Sequence, residues 1–279
     1  MPFFETRDHT RLFFTDWDKG NTGKSIVFVS SWALGGAMWE HQTVPLSHQG
    51  LRCITFDRRS HGRSDDPGHG YDFDTLADDL AALLEHLDLR DTTLVGHSMG
   101  CAEIVRYVSR HGTDRIARVA LISPITPFIL NTADNPEGTP KLVLDAMVAS
   151  LMRDRPSFFT NGTIKFFGQG SKWPGPPVIS NEIVQWALHL ILQSSPHAVT
   201  ETLDAFFQTD FRPDMPAVNV PTLIIHGDRD QNASIETCGR RTAQAISGSQ
   251  FKVYEGAAHG LFITDKDRLN SDLLAFIQG

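Results

Sequence analysis

Six short runs rich in β-branched and aromatic residues, at 26–29, 51–56, 92–95, 119–122, 222–225 and 251–254, recur along the chain with amphipathic helical patterns between them. Ile26-Val27-Phe28-Val29 has no polar position at all, where a strand exposed on one face would alternate apolar with polar residues. Such runs suit strands of a parallel sheet covered on both faces. The segments between them supply the cover. Leu76, Leu80, Leu83, Leu84 and Leu87 follow Asp74 at spacings near three and four, which predicts a helix with Asp74 as its N-cap. Residues 99–110, 235–246 and 267–277 read the same way. Strand and helix in alternation argue for an α/β sheet with right-handed crossovers. The start differs: 3–6 and 12–17 flank Asp8-His9-Thr10 and predict an antiparallel hairpin, followed by a turn at Gly20-Asn21-Thr22-Gly23.

The alternation stops between 124 and 216. Helical patterns at 141–153, 181–193 and 199–208 have no convincing strand among them, and a Pro/Gly-rich loop runs through Trp173-Pro174-Gly175-Pro176-Pro177. Strands resume afterwards, so the expected organisation is a core formed by 1–123 and 217–279, with 124–216 as a helical cap over one edge of the sheet.

Composition narrows the partners. A net charge of −8 with no basic block argues against nucleic acid. No apolar run approaches the ~18 residues of a membrane span, and Met1-Pro2-Phe3-Phe4-Glu5 does not read as a signal peptide. The three cysteines, Cys53, Cys101 and Cys238, are scattered and odd in number, which argues against a disulfide framework and fits a reducing cytoplasm. There is no H-E-x-x-H and no clustered Cys/His set, so neither a metal nor any other cofactor is expected.

Chemistry concentrates at Gly96-His97-Ser98-Met99-Gly100. This G-x-S-x-G follows a buried strand and opens a helix, the context of a nucleophile elbow in which a sharp turn lifts the serine hydroxyl above the sheet. Small residues at 96 and 100 let strand and helix backbones approach closely. A serine nucleophile needs a base, and in this architecture the order is serine, acid, histidine. His226 and His259 are the histidines just beyond strands in the C-terminal half. His226 directly precedes the acid loop and reads as a buried strand-end residue; His259, between small residues after the last strand, is the expected base. The loop His226-Gly227-Asp228-Arg229-Asp230 offers two carboxylates, one to orient the imidazole and one to bond local backbone amides. An oxyanion hole would take one amide from Met99 and a second from the loop 30–36.

Those motifs, with Phe56-Asp57-Arg58-Arg59, His61-Gly62-Arg63-Ser64, Gln208-Thr209-Asp210-Phe211 and Asp272-Leu273-Leu274-Ala275-Phe276, resemble the cofactor-free bacterial haloperoxidase, aryl esterase and γ-lactamase group of α/β-hydrolases from end to end. The resemblance implies an α/β-hydrolase fold: a mostly parallel twisted sheet of about eight strands, helices on both faces and a helical cap. It assigns the acid to Asp230 and the second oxyanion amide to Trp32. Carried over by position, it puts Trp32, Ile129, Met147, Phe166 and Phe206 at the substrate pocket, and it leaves a homo-oligomer open. The chain departs from the group in having Ser30-Ser31 before Trp32 where relatives carry His-Gly, Ser60 where a glycine is common, and Gln231-Asn232 after the acid where two apolar residues are usual. If Gln231 and Asn232 line the pocket, a more polar acyl or lactone substrate follows; otherwise they face solvent. Ala33 stands where perhydrolysing relatives often have proline, which favours plain hydrolysis. The expected function is cleavage of small carboxylic esters or lactones through an acyl-enzyme. Acyl transfer to hydrogen peroxide, γ-lactam cleavage and, lowest, a triad-retaining ligand sensor are the alternatives.

Overall fold

A computed structural model describes residues 2–17, 24–168 and 179–279. The turn at 20–23 and the loop at 173–177 lie outside the described residues. The first two strands, β1 (Phe3–Glu5) and β2 (Arg11–Trp17), pair antiparallel as a hairpin. They are followed by β3 (Ser25–Val29), β4 (Arg52–Phe56), β5 (Thr92–His97), β6 (Ile116–Ile122), β7 (Thr222–Gly227) and β8 (Gln250–Tyr254). All eight form one sheet in the order β1-β2-β4-β3-β5-β6-β7-β8, antiparallel as far as the β2–β4 pair and parallel beyond. Every residue of β3, β5 and β7 is buried, as a run without polar alternation requires of a sheet covered on both faces.

The covering helices in the first half are α1 (Glu40–His48), α2 (Phe73–His86) and α3 (Met99–His111). Asp72, not Asp74, caps α2: its carboxylate accepts from the Thr75 amide at 2.9 Å and the Thr75 hydroxyl at 2.8 Å. Asp74 falls inside the first turn, where it pairs with Arg106 and Arg110 of α3. Between β6 and β7 come α4 (Lys141–Arg153), α5 (Arg155–Phe166), α6 (Asn181–Leu192) and α7 (Pro196–Gln208), and no strand lies among them within the described residues. The chain closes with α8 (Gly239–Ala245), α9 (Leu261–Thr264) and α10 (Lys266–Gln278). The helix expected over 235–246 is thus confined to its second part. Residues 235–238 form a turn, and α8 starts at Gly239, where a side chain would collide with the His226 ring.

Candidate active site

Ser98 sits between the end of β5 and the start of α3 with φ 55° and ψ −114°. A non-glycine residue there stores about 1–3 kcal/mol and persists only if its surroundings hold it. They do so at both ends: the Ser98 amide donates to Ile122 at 2.9 Å, and its carbonyl accepts from Cys101 at 3.0 Å. The flanking glycines answer to packing. A Cβ on Gly96 would come within 2.8 Å of the Gly100 and Cys101 backbone, and one on Gly100 would run into the Val29 and Ser30 carbonyl oxygens.

Asp230, on the loop after β7, is fully shielded and accepts from four directions. Its Oδ1 takes the Asn232 and Ala233 amides at 2.8 and 2.9 Å, and its Oδ2 lies 2.5 Å from His259 Nδ1 and 3.2 Å from His226 Nε2. Burial by itself would raise its pKa, but the charges and hydrogen bonds of His259 and His226 prevail and hold it well below the usual carboxylate range. Asp228 is exposed and accepts from the Gly256 amide at 2.7 Å. The loop's two carboxylates therefore differ: Asp230 joins an imidazole to the amides of its own loop, and Asp228 accepts from the Gly256 amide.

An ionised carboxylate only accepts, so Nδ1 of His259 carries a proton, and the neutral tautomer that fits this contact has its lone pair on Nε2. The His259 carbonyl is held by His97 Nε2 at 2.9 Å and Ser123 Oγ at 3.5 Å, which ties the loop after β8 to the elbow. His97, completely buried beside it, has its pKa pushed down to about 3, chiefly by burial and then by the nearby His259. It is neutral and donates through Nε2. His226, also buried, faces the Ala233 carbonyl through Nε2 at 2.8 Å.

Met99 is the first residue of α3, so its amide is among the first-turn donors that no intrahelical carbonyl takes up. The loop after β3 takes a positive φ at Ala33 (59°) and not at Ser31, so the serine in the glycine's place adopts no left-handed backbone. Ser60, the other serine at a usual glycine position, does adopt φ 61°, with its hydroxyl bonded to Asp66 and Tyr71. Trp32 donates from Nε1 to the Val199 carbonyl of α7 at 3.0 Å, and its ring packs on Phe158, Phe159 and Phe206.

Arg58 was legible only as part of a resemblance, and Glu103 carried no signal. Arg58 Nε donates to Glu103 Oε1 at 2.8 Å, and Nη2 bonds the same oxygen. Nη1 and Nη2 also reach the Ser31 and Ser30 carbonyls at 3.3 and 2.8 Å.

Of the expected pocket residues, Phe166 packs edge-on against His259 at 5.1 Å and Phe206 against Trp32 at 5.9 Å. Ile129 is half-buried against the core, whereas Met147, Gln231 and Asn232 are exposed. An open depression of about 520 Å3 elsewhere, bordered by Trp17, His41, Arg63 and Asn270, contains none of the candidate residues. Among the described residues no group of three or more His, Cys, Asp or Glu is placed to hold a metal ion, and no helix is long and apolar enough to cross a membrane.

A mostly parallel sheet with an antiparallel edge and a strained serine turn at the end of a central strand is the α/β-hydrolase arrangement. The α/β-hydrolase fold family matches residues 24–146. The chain is similar to a non-heme chloroperoxidase of Kitasatospora aureofaciens, 40% identical over 99% of both chains. It is also similar to a bifunctional esterase/perhydrolase of Acinetobacter calcoaceticus, 34% identical over the whole of both. A solved bromoperoxidase from Bacillus anthracis superposes with a TM-score of 0.93 at 35% identity, covering 99% of each chain. The chain belongs to the α/β-hydrolase family, among its non-heme haloperoxidase relatives.

Proposed function

We propose that the protein is a serine hydrolase acting on small carboxylic esters or lactones, with Ser98 as nucleophile, His259 as general base and acid, and Asp230 as its orienting carboxylate. The observation that carries this reading is the buried 2.5 Å contact between Asp230 Oδ2 and His259 Nδ1, which leaves Nε2 to accept a proton. As Ser98 Oγ bonds to the acyl carbon, His259 Nε2 takes the hydroxyl proton, and the Met99 and Trp32 amides receive the developing oxyanion. His259 then returns the proton to the departing alcohol oxygen as the ester bond breaks. Water attacks the acyl-enzyme by the same route in reverse, giving the acid and free Ser98. Residues 124–216 would act as a cap, with Phe166 against His259 and Phe206 against Trp32, and Ile129, Met147, Gln231 and Asn232 complete the proposed set of substrate contacts. Three buried, unpaired cysteines fit a cytoplasmic location.

The relatives' names favour a second acceptor, hydrogen peroxide in place of water, which would release a peracid from the same acyl-enzyme. Ala33 favours water. Its φ of 59° is one that proline, fixed near −65°, cannot adopt, so this loop differs from that of proline-bearing relatives. The test is p-nitrophenyl acetate turnover with and without peroxide, in the wild type and in Ser98→Ala. The expected result is acetate release that exceeds peracetate formation and is abolished by the substitution. Turnover surviving in Ser98→Ala would refute the nucleophile, and a dominant peracid product would reverse the choice of acceptor.

A further inference from the structure

We propose that Arg58, braced by Glu103, is a positioning residue for the oxyanion hole, fixing and polarising the peptide unit whose N–H belongs to Trp32. This rests on the reading of Trp32 and Met99 as oxyanion donors. A peptide group is a rigid plane, and the carbonyl of Ser31 and the amide of Trp32 are its two ends. Arg58 Nη1 donates to that carbonyl at 3.3 Å, beside the Leu34 amide at 3.3 Å, while Nη2 holds the preceding carbonyl of Ser30 at 2.8 Å. A charged donor on the oxygen orients the plane and makes the N–H at the other end a better donor, because hydrogen bonds in series polarise one another. The second peptide is held in the same manner: the Ser98 carbonyl, whose plane carries the Met99 N–H, accepts from Cys101 at 3.0 Å.

Glu103 makes the two donors one assembly. It stands on α3 one turn beyond Met99, so its bonds to Arg58 link the loop of Trp32 to the helix of Met99. Gly100 adds contact between the same two elements, with no room for a side chain against Val29 and Ser30. The loop has need of an external brace. Ala33 holds a positive φ that alanine does not favour. The side chains of Arg58 and Glu103 are 2% and 1% exposed, so solvent does not compete for either.

The experiment measures kcat and KM for p-nitrophenyl acetate, and inhibition by a trifluoromethyl ketone that forms a tetrahedral oxyanion adduct. It compares the wild type, Arg58→Met, Arg58→Lys and Glu103→Gln, with folding checked by circular dichroism and thermal unfolding. Removing an oxyanion donor outright costs on the order of 100- to 1,000-fold, so disturbing its support should lower kcat about 10- to 100-fold in Arg58→Met. Arg58→Lys and Glu103→Gln should lose less. KM and the acid limb of the pH profile should stay unchanged, and ketone affinity should fall in step with kcat. A folded Arg58→Met with kcat within about twofold of wild type, or a loss of kcat with full ketone affinity, would overturn the proposal. If Arg58→Met does not fold, Glu103→Gln decides by the same criteria. Wild-type protein that shows no acylation at Ser98 would instead remove the functional reading beneath it.

Discussion

Asp230 lies between two imidazoles, and the hydrogen bonds around it distinguish them. His226 is buried with Nε2 facing both the Ala233 carbonyl and Asp230, and a glycine at 239 leaves its ring just enough room. His259 meets Asp230 through Nδ1, so its Nε2 is not the atom that faces the carboxylate. The sequence leads to an expected order of serine, acid and histidine, but spacing could not separate Asp228 from Asp230, two residues apart on one loop. What separates them is where backbone amides point: those of Asn232 and Ala233 at Asp230, that of Gly256 at Asp228. An asparagine in place of the acid presents its amide to Nδ1 and favours the wrong imidazole tautomer, a change that costs about 10,000-fold in kcat in a serine protease. Asp230→Asn should therefore reduce kcat by at least about 100-fold, and Asp228→Asn should cost less than about tenfold. Steady-state kinetics of the two variants check this, and the reverse ranking would exchange the roles of the two aspartates.

At the scale of elements, legibility followed apolar patterning. Each of the six runs became a strand, five of them mostly buried, whereas β8 lies at the sheet edge and buries only Tyr254. Two helices gave no such signal. α1 buries Gln42, Thr43 and Ser47 and contains Pro45, so it has little apolar stripe to read. α5 buries only Phe159 and Thr163. The N-cap of α2 was misplaced by two residues because several aspartates precede the leucines, and only Asp72 has Thr75 three residues on to cap. Glycine shows how position decides sign. In α3, Gly100→Ala places a methyl against two carbonyl oxygens and should destabilise by about 1–3 kcal/mol. In α5, Gly162 has nothing within 4 Å of an added Cβ, so Gly162→Ala should stabilise by about 0.4–1 kcal/mol. Urea unfolding midpoints at unchanged m should move in opposite directions, and a shared direction would contradict the packing described for Gly100.

Across the whole molecule, the strand order was the part least open to sequence reading. Which strands become neighbours depends on the path of the crossovers, and a run's composition does not encode its partner. That order sets the ends of β5, β6, β7 and β8 side by side, and the loop after β8 meets the end of β5 through the bond of His97 to the His259 carbonyl. The same burial sets the response to acid. His61 and His97 are completely buried with pKa values held at about 3, against an ordinary 6.5. Between those values the unfolded chain binds more protons than the folded one, so their contribution is complete above about pH 6.5 and is lost as pH falls towards 3. Stability should decline from about pH 7 to about pH 5, and His61→Gln should flatten the decline; an unchanged slope in that variant would contradict this assignment. The central claim, that this architecture makes Ser98 a nucleophile, is tested most directly by fluorophosphonate labelling followed by peptide mass spectrometry. The account predicts one covalent adduct per chain on Ser98 and none in Ser98→Ala; an adduct on another residue, or no adduct, would contradict it.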